Sequence, residues 1–164
     1  MTWRLPLDKY KLGPAFGVVD SWHPNGHRGT DYNGFKSGYA LKAVNDGVVT
    51  LNKFSKILGN VVVIKTDKYY WGYSHLVAPS PLAVGTKVKS GQIIGNAGTT
   101  GSASSGVHLH FTLSLLPEGV FGGKVYDGHA FLLKAIARQR PVTKPAVINP
   151  VKLHCPTCKC KDTK

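Results

Sequence analysis

The chain has 164 residues, enough for one ordinary domain with a short appendage and enough to bury a core that needs no disulfide staple. An apolar fraction of 42% with 18% charged residues excludes a disordered chain, and no apolar run approaches the ~18 residues of a membrane-spanning helix. Twenty-one Lys and Arg against eight Asp and Glu leave a net charge of +13, which favours nucleic acid, anionic lipid or the anionic polymers of a bacterial wall without choosing among them.

Residues 1–20 read as an irregular lead-in punctuated by Pro6, Gly13, Pro14 and Gly17. The opening MTWRLPLDKYKLGPAFG lacks an apolar stretch, so no secretory signal is expected. Short runs rich in Val, Ile, Thr and aromatics follow at Ala43–Leu51, Asn60–Thr66, Tyr69–His75, Val88–Ile94 and Val107–Leu115. Gly and Asn break them, the pattern of an antiparallel, mainly β domain. One helix is expected near the C-terminus. Asp127 is placed as the N-cap of GHAFLLKAIARQR, with Phe131, Leu132, Ala135 and Ile136 on one face and Pro141 as the stop. The expected division is a lead-in (1–20), a main β domain (21–122), a helix (123–140) and a Pro-containing linker with a Cys/Lys-rich tail (141–164).

All three cysteines, Cys155, Cys158 and Cys160, lie in that tail, so no disulfide crosses the main domain. Residues 134–164 carry eight Lys and Arg against Asp162, a net +7. With His154 the cysteines offer four ligands in seven residues. That set suits either a soft metal or a solvated, oxidisable tail, and a usual zinc module spreads its ligands over two elements.

The histidines carry the chemistry. His27 and Asp31 stand four apart in HRGTD, where neighbouring Gly and Pro favour a loop or strand end over a helix. The pair suits a divalent metal, or an aspartate that orients a surface histidine. His108 and His110 alternate with Leu109 in VHLHFTLSL, so they share a strand face with Thr112 and Ser114, while Leu109, Phe111, Leu113 and Leu115 face a core. That face holds either a metal with its reaction partner or two solvated histidines. His75 ends the aromatic run YYWGYSH, in which Trp71 and Tyr73 share a face that either packs the core or lines a cleft. His23 reads as a turn residue and His129 as a structural residue at the helix start.

Taken together, H-x-G-x-D (27–31), Y-S-H-L (73–76), VGTKVKSGQIIGNAGTTG (84–101) and H-L-H-F (108–111) resemble the lysostaphin/LytM-type zinc metallopeptidases of bacterial walls. The segment 40–49 is similar to the strand of that family that leads into its alanine-aspartate-glycine turn. Val107 stands where the family usually has proline, and the segment 21–27 is short, which alters the expected lip of the cleft. The resemblance implies an antiparallel β metallopeptidase that holds one zinc ion through His27, Asp31 and His110, with His75 and His108 as catalytic non-ligand histidines. It implies that the 98–106 loop, which by itself reads as a flexible turn, borders a substrate groove with Thr100 and Ser102; Tyr73 is a further candidate groove residue if its face lines the cleft and not the core.

The function implied is hydrolysis of peptide cross-links in bacterial peptidoglycan. The alternatives are a virion-associated lysin or a non-catalytic wall-binding domain of the same fold. The expected setting is a bacteriophage endolysin, monomeric, kept in the host cytoplasm until a holin releases it, with the basic C-terminus on anionic wall polymers. Only 26 residues precede His27, so no inhibitory pro-segment is expected. Nucleic acid is not an expected partner, because no base-reading motif accompanies the charge.

Overall fold

The computed structural model describes residues 2–139. Nine strands form in chain order: β1 (Lys11–Leu12), β2 (Thr30–Asn33), β3 (Ala40–Lys42), β4 (Gly47–Ser55), β5 (Gly59–Thr66), β6 (Tyr69–Leu76), β7 (Lys87–Val88), β8 (Ile93–Asn96) and β9 (Leu109–Ser114). A 3-10 turn at Pro117–Phe121 and one helix, α1 (Gly128–Gln139), complete the described chain. Seven strands build one antiparallel sheet in the order β1-β2-β9-β6-β5-β4-β7, and β3 pairs with β8 beside it.

Two expected strands divide. Ala43–Leu51 breaks at Ala43–Asp46, which forms a bend, and the strand begins at Gly47 and runs on to Ser55. Val88–Ile94 breaks at Lys89–Gln92, where a turn closes through Gln92 N donating to Lys89 O. Both breaks contain polar residues followed or preceded by Gly, Asn45-Asp46-Gly47 and Ser90-Gly91-Gln92, where local turn chemistry overrides β propensity. The helix keeps its expected cap: Asp127 Oδ1 accepts from Ala130 N at 2.8 Å. Its stop at Pro141 and the cysteine tail lie outside the described residues.

The main core fills one face of the sheet. Tyr32, Ile64, Trp71, Tyr73, Leu109 and Phe111 are buried there with Leu132 of α1. Trp71 stacks on Phe111 at 5.5 Å between ring centroids, and Tyr73 meets Phe111 edge-on at 5.2 Å. The lead-in joins this core. Leu7 is buried, the Trp3 ring lies 5.8 Å from Trp71, and the Trp3 backbone exchanges hydrogen bonds with the Gln139 side chain. On the opposite face a smaller cluster of Val61, Val63 and Val120 is capped by the 3-10 turn. This second cover explains why every residue of β9 is buried, whichever face it uses. Leu115, expected in the core, lies just past the strand end and is exposed.

Candidate metal centre and its cleft

Three elements converge on one point. β9 pairs with β2 so that His110 stands opposite Asp31, and β9 pairs with β6 so that His110 also stands opposite Ser74. His27 arrives from the loop before β2, and the lead-in steadies it: His27 Nδ1 donates to the carbonyls of Pro14 and Ala15 at 3.1 and 3.2 Å. A carbonyl only accepts, so Nδ1 carries a proton and Nε2 is the nitrogen turned inward. His27 Nε2 lies 3.0 Å from His110 Nδ1 and 3.3 Å from Asp31 Oδ1, and His110 Nδ1 lies 2.9 Å from the same oxygen.

The close fit explains the glycine in H-x-G-x-D. A Cβ on Gly29 would sit 2.7 Å from His110 Cε1 and equally close to the Phe111 carbonyl oxygen. Only glycine lets the loop approach the β9 histidine this closely.

Electrostatics follow the packing. Burial alone would raise the Asp31 carboxyl, but the His110 and His27 contacts outweigh it and hold the group well below the usual carboxylate range. Burial lowers His27, yet its Asp31 contact prevails and leaves it raised. His110 is lowered, because burial outweighs its Asp31 contact. The cluster therefore concentrates one carboxylate and two imidazoles in a poorly hydrated site, an arrangement that a divalent cation would balance.

Donor chemistry and spacing both fit zinc. The three atoms lie 2.9–3.3 Å apart, and the edge of a tetrahedron with metal–ligand bonds of ~2.0–2.1 Å is about 3.3 Å. Among the described residues these are also the three that form a metal-capable group.

Two further imidazoles flank the cluster. His108 Nδ1 donates to Gly106 O at 2.8 Å, which leaves its Nε2 facing Asp31 Oδ2 at 3.8 Å. His75 Nδ1 donates to Thr100 O at 2.7 Å, and its ring lies 4.6 Å from His108. Strand alternation would put His75 in the core with Tyr73. Its backbone instead adopts φ +63° beside a register shift between β5 and β6, and this turns the ring to the site face. Burial pushes the His75 pKa down to about 4, so the ring is neutral at pH 7.

The groove residues expected from sequence need two corrections. Tyr73 is wholly buried in the main core, where its hydroxyl donates to Lys42 O and accepts from Val44 N, so it does not line the cleft. Unlike His75, it keeps the strand alternation. Thr100 supports His75 with its carbonyl, while its hydroxyl donates to Leu76 O and accepts from Asn60 N. It is a positioning residue behind the groove. Ser102 does border a recess of about 490 Å³ beside His108.

The main cleft, about 520 Å³, is also lined by residues that carry no motif. Trp22 stands 78% exposed at its mouth on a turn that Asp20 clamps, with Asp20 Oδ1 accepting from Trp22 N and His23 N. His23, expected as a turn residue, is in that turn and also packs its ring 4.2 Å from His27. Ile57 and Leu58 form one wall, Val120 and Phe121 another, and Arg28 lines the cleft between His27 and Gly29. Neither wall had a sequence signal, because hairpin tip and 3-10 turn meet only in the fold. His129, by contrast, is structural as expected: its Nδ1 lies 2.7 Å from the Tyr32 hydroxyl.

Comparison with known proteins gives a consistent family. Residues 25–120 match the family model of Peptidase family M23. A curated relative, peptidoglycan DD-endopeptidase ShyC of Vibrio cholerae, is 36% identical over 114 residues, 66% of this chain and 25% of that protein. The chain spans 25–30% of the length of the curated relatives it matches. Among solved structures, a zinc-containing peptidase from Vibrio cholerae superposes with a TM-score of 0.62 at 30% identity, over 69% of this chain and 36% of that one. The catalytic domain of the antimicrobial peptidase lysostaphin from Staphylococcus simulans superposes with 0.64 at 28% identity, over 76% of this chain and 92% of that one.

Proposed function

The chain belongs to peptidase family M23, and from that premise we propose that it is a zinc-dependent endopeptidase that hydrolyses peptide cross-links of bacterial peptidoglycan. The observation that carries this reading is the convergence of His27 Nε2, His110 Nδ1 and Asp31 Oδ1 within 3.3 Å, with two non-ligand imidazoles beside them. Zinc held by these three residues supplies a Lewis acid for the scissile carbonyl and makes water nucleophilic near neutral pH.

The chain's own groups supply the proton transfers. His75 and His108 each commit Nδ1–H to a backbone carbonyl, so each Nε2 is an acceptor fixed at the cleft. Either atom can take the proton of the attacking water and return it to the leaving amine as the C–N bond breaks. Until that proton is returned, the positive charge on the ring also stabilises the negative charge growing on the carbonyl oxygen. No Glu follows the ligand histidines, so the imidazoles replace the carboxylate base of the H-E-x-x-H enzymes.

The setting we propose is a phage endolysin released to the wall through a holin. Its support is the likeness to an antimicrobial peptidase and the net charge of +13, which suits an anionic wall.

Turbidity loss and newly freed amines on purified peptidoglycan test the activity, with wild type, chelated protein and His110→Ala run together. Outer contacts of metal ligands are worth roughly 10- to 100-fold, so loss of a ligand is expected to exceed that and zinc to restore the chelated sample. A wild type that loads zinc but releases nothing from walls of several cross-link types favours a non-catalytic wall-binding role. Expression with and without a holin tests the setting, since rapid lysis without one excludes it.

A further inference from the structure

Arg28 lies between two residues of the metal cluster loop, yet nothing in the chemistry above uses it. Its side chain reaches the 117–123 segment, where Nη2 donates to both Gly119 O, at 3.2 Å, and Gly123 O. Nε and Nη1 have no acceptor among the described residues, and Arg28 lines the cleft that holds His27, Asp31 and His110. A neighbouring recess of about 290 Å³ is lined by Arg28 together with Lys124. Asp31 is the one carboxylate on either lining, and its oxygens face the histidines. This end of the cleft is therefore cationic without a counter-ion of its own among the described residues.

We propose that Arg28 determines specificity by binding a carboxylate that the substrate carries next to the scissile amide. A guanidinium anchored by one nitrogen has already lost much of its side-chain freedom, so binding an anion with Nη1 costs little more. The remaining donors make charge-assisted bonds, which are the strong class. Across the cleft, Ile57, Leu58 and Phe121 offer an apolar wall for methyl and methylene groups.

The substrate that matches is a D-alanyl cross-link to a diamino diacid, where the carbon bearing the scissile nitrogen also bears a free carboxylate. A bridge of glycines cut in its interior presents neither the charge nor the side chains. This inference rests on the peptidase reading and narrows it to directly cross-linked, carboxylate-bearing peptide.

The test uses the zinc-loaded full chain on two defined muropeptide dimers, one with that carboxylate free and one with it amidated. Wild type is expected to favour the free acid in kcat/KM by roughly tenfold to a hundredfold. Arg28→Gln is expected to bring the ratio near one by losing rate on the acid, and Arg28→Lys to keep part of it. Equal rates of wild type on both dimers overturn the inference and leave the peptidase reading standing. Arg28→Gln slowing both dimers equally also overturns it, since a mere clamp on Gly119 and Gly123 would behave so. Cleavage of neither dimer by wild type overturns the peptidase reading on this wall type and the inference with it. Where Arg28→Gln fails to fold, equal wild-type rates still overturn the inference, and a reduced preference in Arg28→Lys carries it while an undiminished one overturns it.

Discussion

Strand β9 carries two chemistries back to back. Phe111 faces an aromatic core and His110 faces the His27–Asp31 side of the site, and both are buried. Core burial stabilises directly, because the apolar faces of the packed rings leave water. The cluster face spends stability instead: desolvation pushes down His75 and His110 and opposes the charge on Asp31. One sheet can hold so costly a site because its other face supplies the compensating burial. The contrast implies that substitutions on the core face change stability, and substitutions on the cluster face change metal binding and activity.

The largest expected effect breaks the core side. Phe111→Ala should cost about 3–5 kcal/mol in urea unfolding, and a cost below about 1 kcal/mol would mean that the rings stacked on it carry little of the fold. Next is the metal. Zinc at 100 times its Kd should add about 2.7 kcal/mol, read as a rise in Tm that Asp31→Asn removes; an unchanged Tm would sink the zinc assignment. Gly29→Ala then sharpens the boundary between the faces. Its Cβ meets His110 on one side and the Phe111 carbonyl on the other, so zinc affinity by competition titration should fall roughly 10- to 100-fold, as for other outer contacts of a ligand. A variant that binds zinc normally would show that the loop relaxes freely.

The smallest effect lies on the core side, at His129. Burial lowers its pKa, so the folded state favours the neutral ring that Tyr32 contacts. The unfolded chain then binds the proton more readily. Stability from this group is present above the unfolded value near 6.5 and is lost as pH falls toward the folded one. Between pH 7.5 and 5.0, His129→Gln should lose less Tm than wild type, and parallel curves would assign the acid sensitivity to other groups.

Legibility of the site varied with how local its cause was. His108 and His110 were readable as a shared face because alternation is a property of the strand itself. Asp127 was readable as a cap because the bond to Ala130 spans three residues. Tyr73 and His75 were not separable, since they have the same parity and only the left-handed backbone at His75 sends one to the core and the other to the cluster. Thr100 looked like groove lining because its contacts to His75, Leu76 and Asn60 are made across the fold.

Sequence alone determined the family, the mainly β class and the residues able to bind a metal, because those depend on residue type, order and short-range periodicity. Tertiary structure decided what long-range contacts control. The pairing of β2 with β9 brought Asp31 to His110, the 3-10 turn buried the polar face of β9, and the lead-in fixed the proton on His27. Arg28 acquired its place in the cleft in the same way, through backbone carbonyls some ninety residues away.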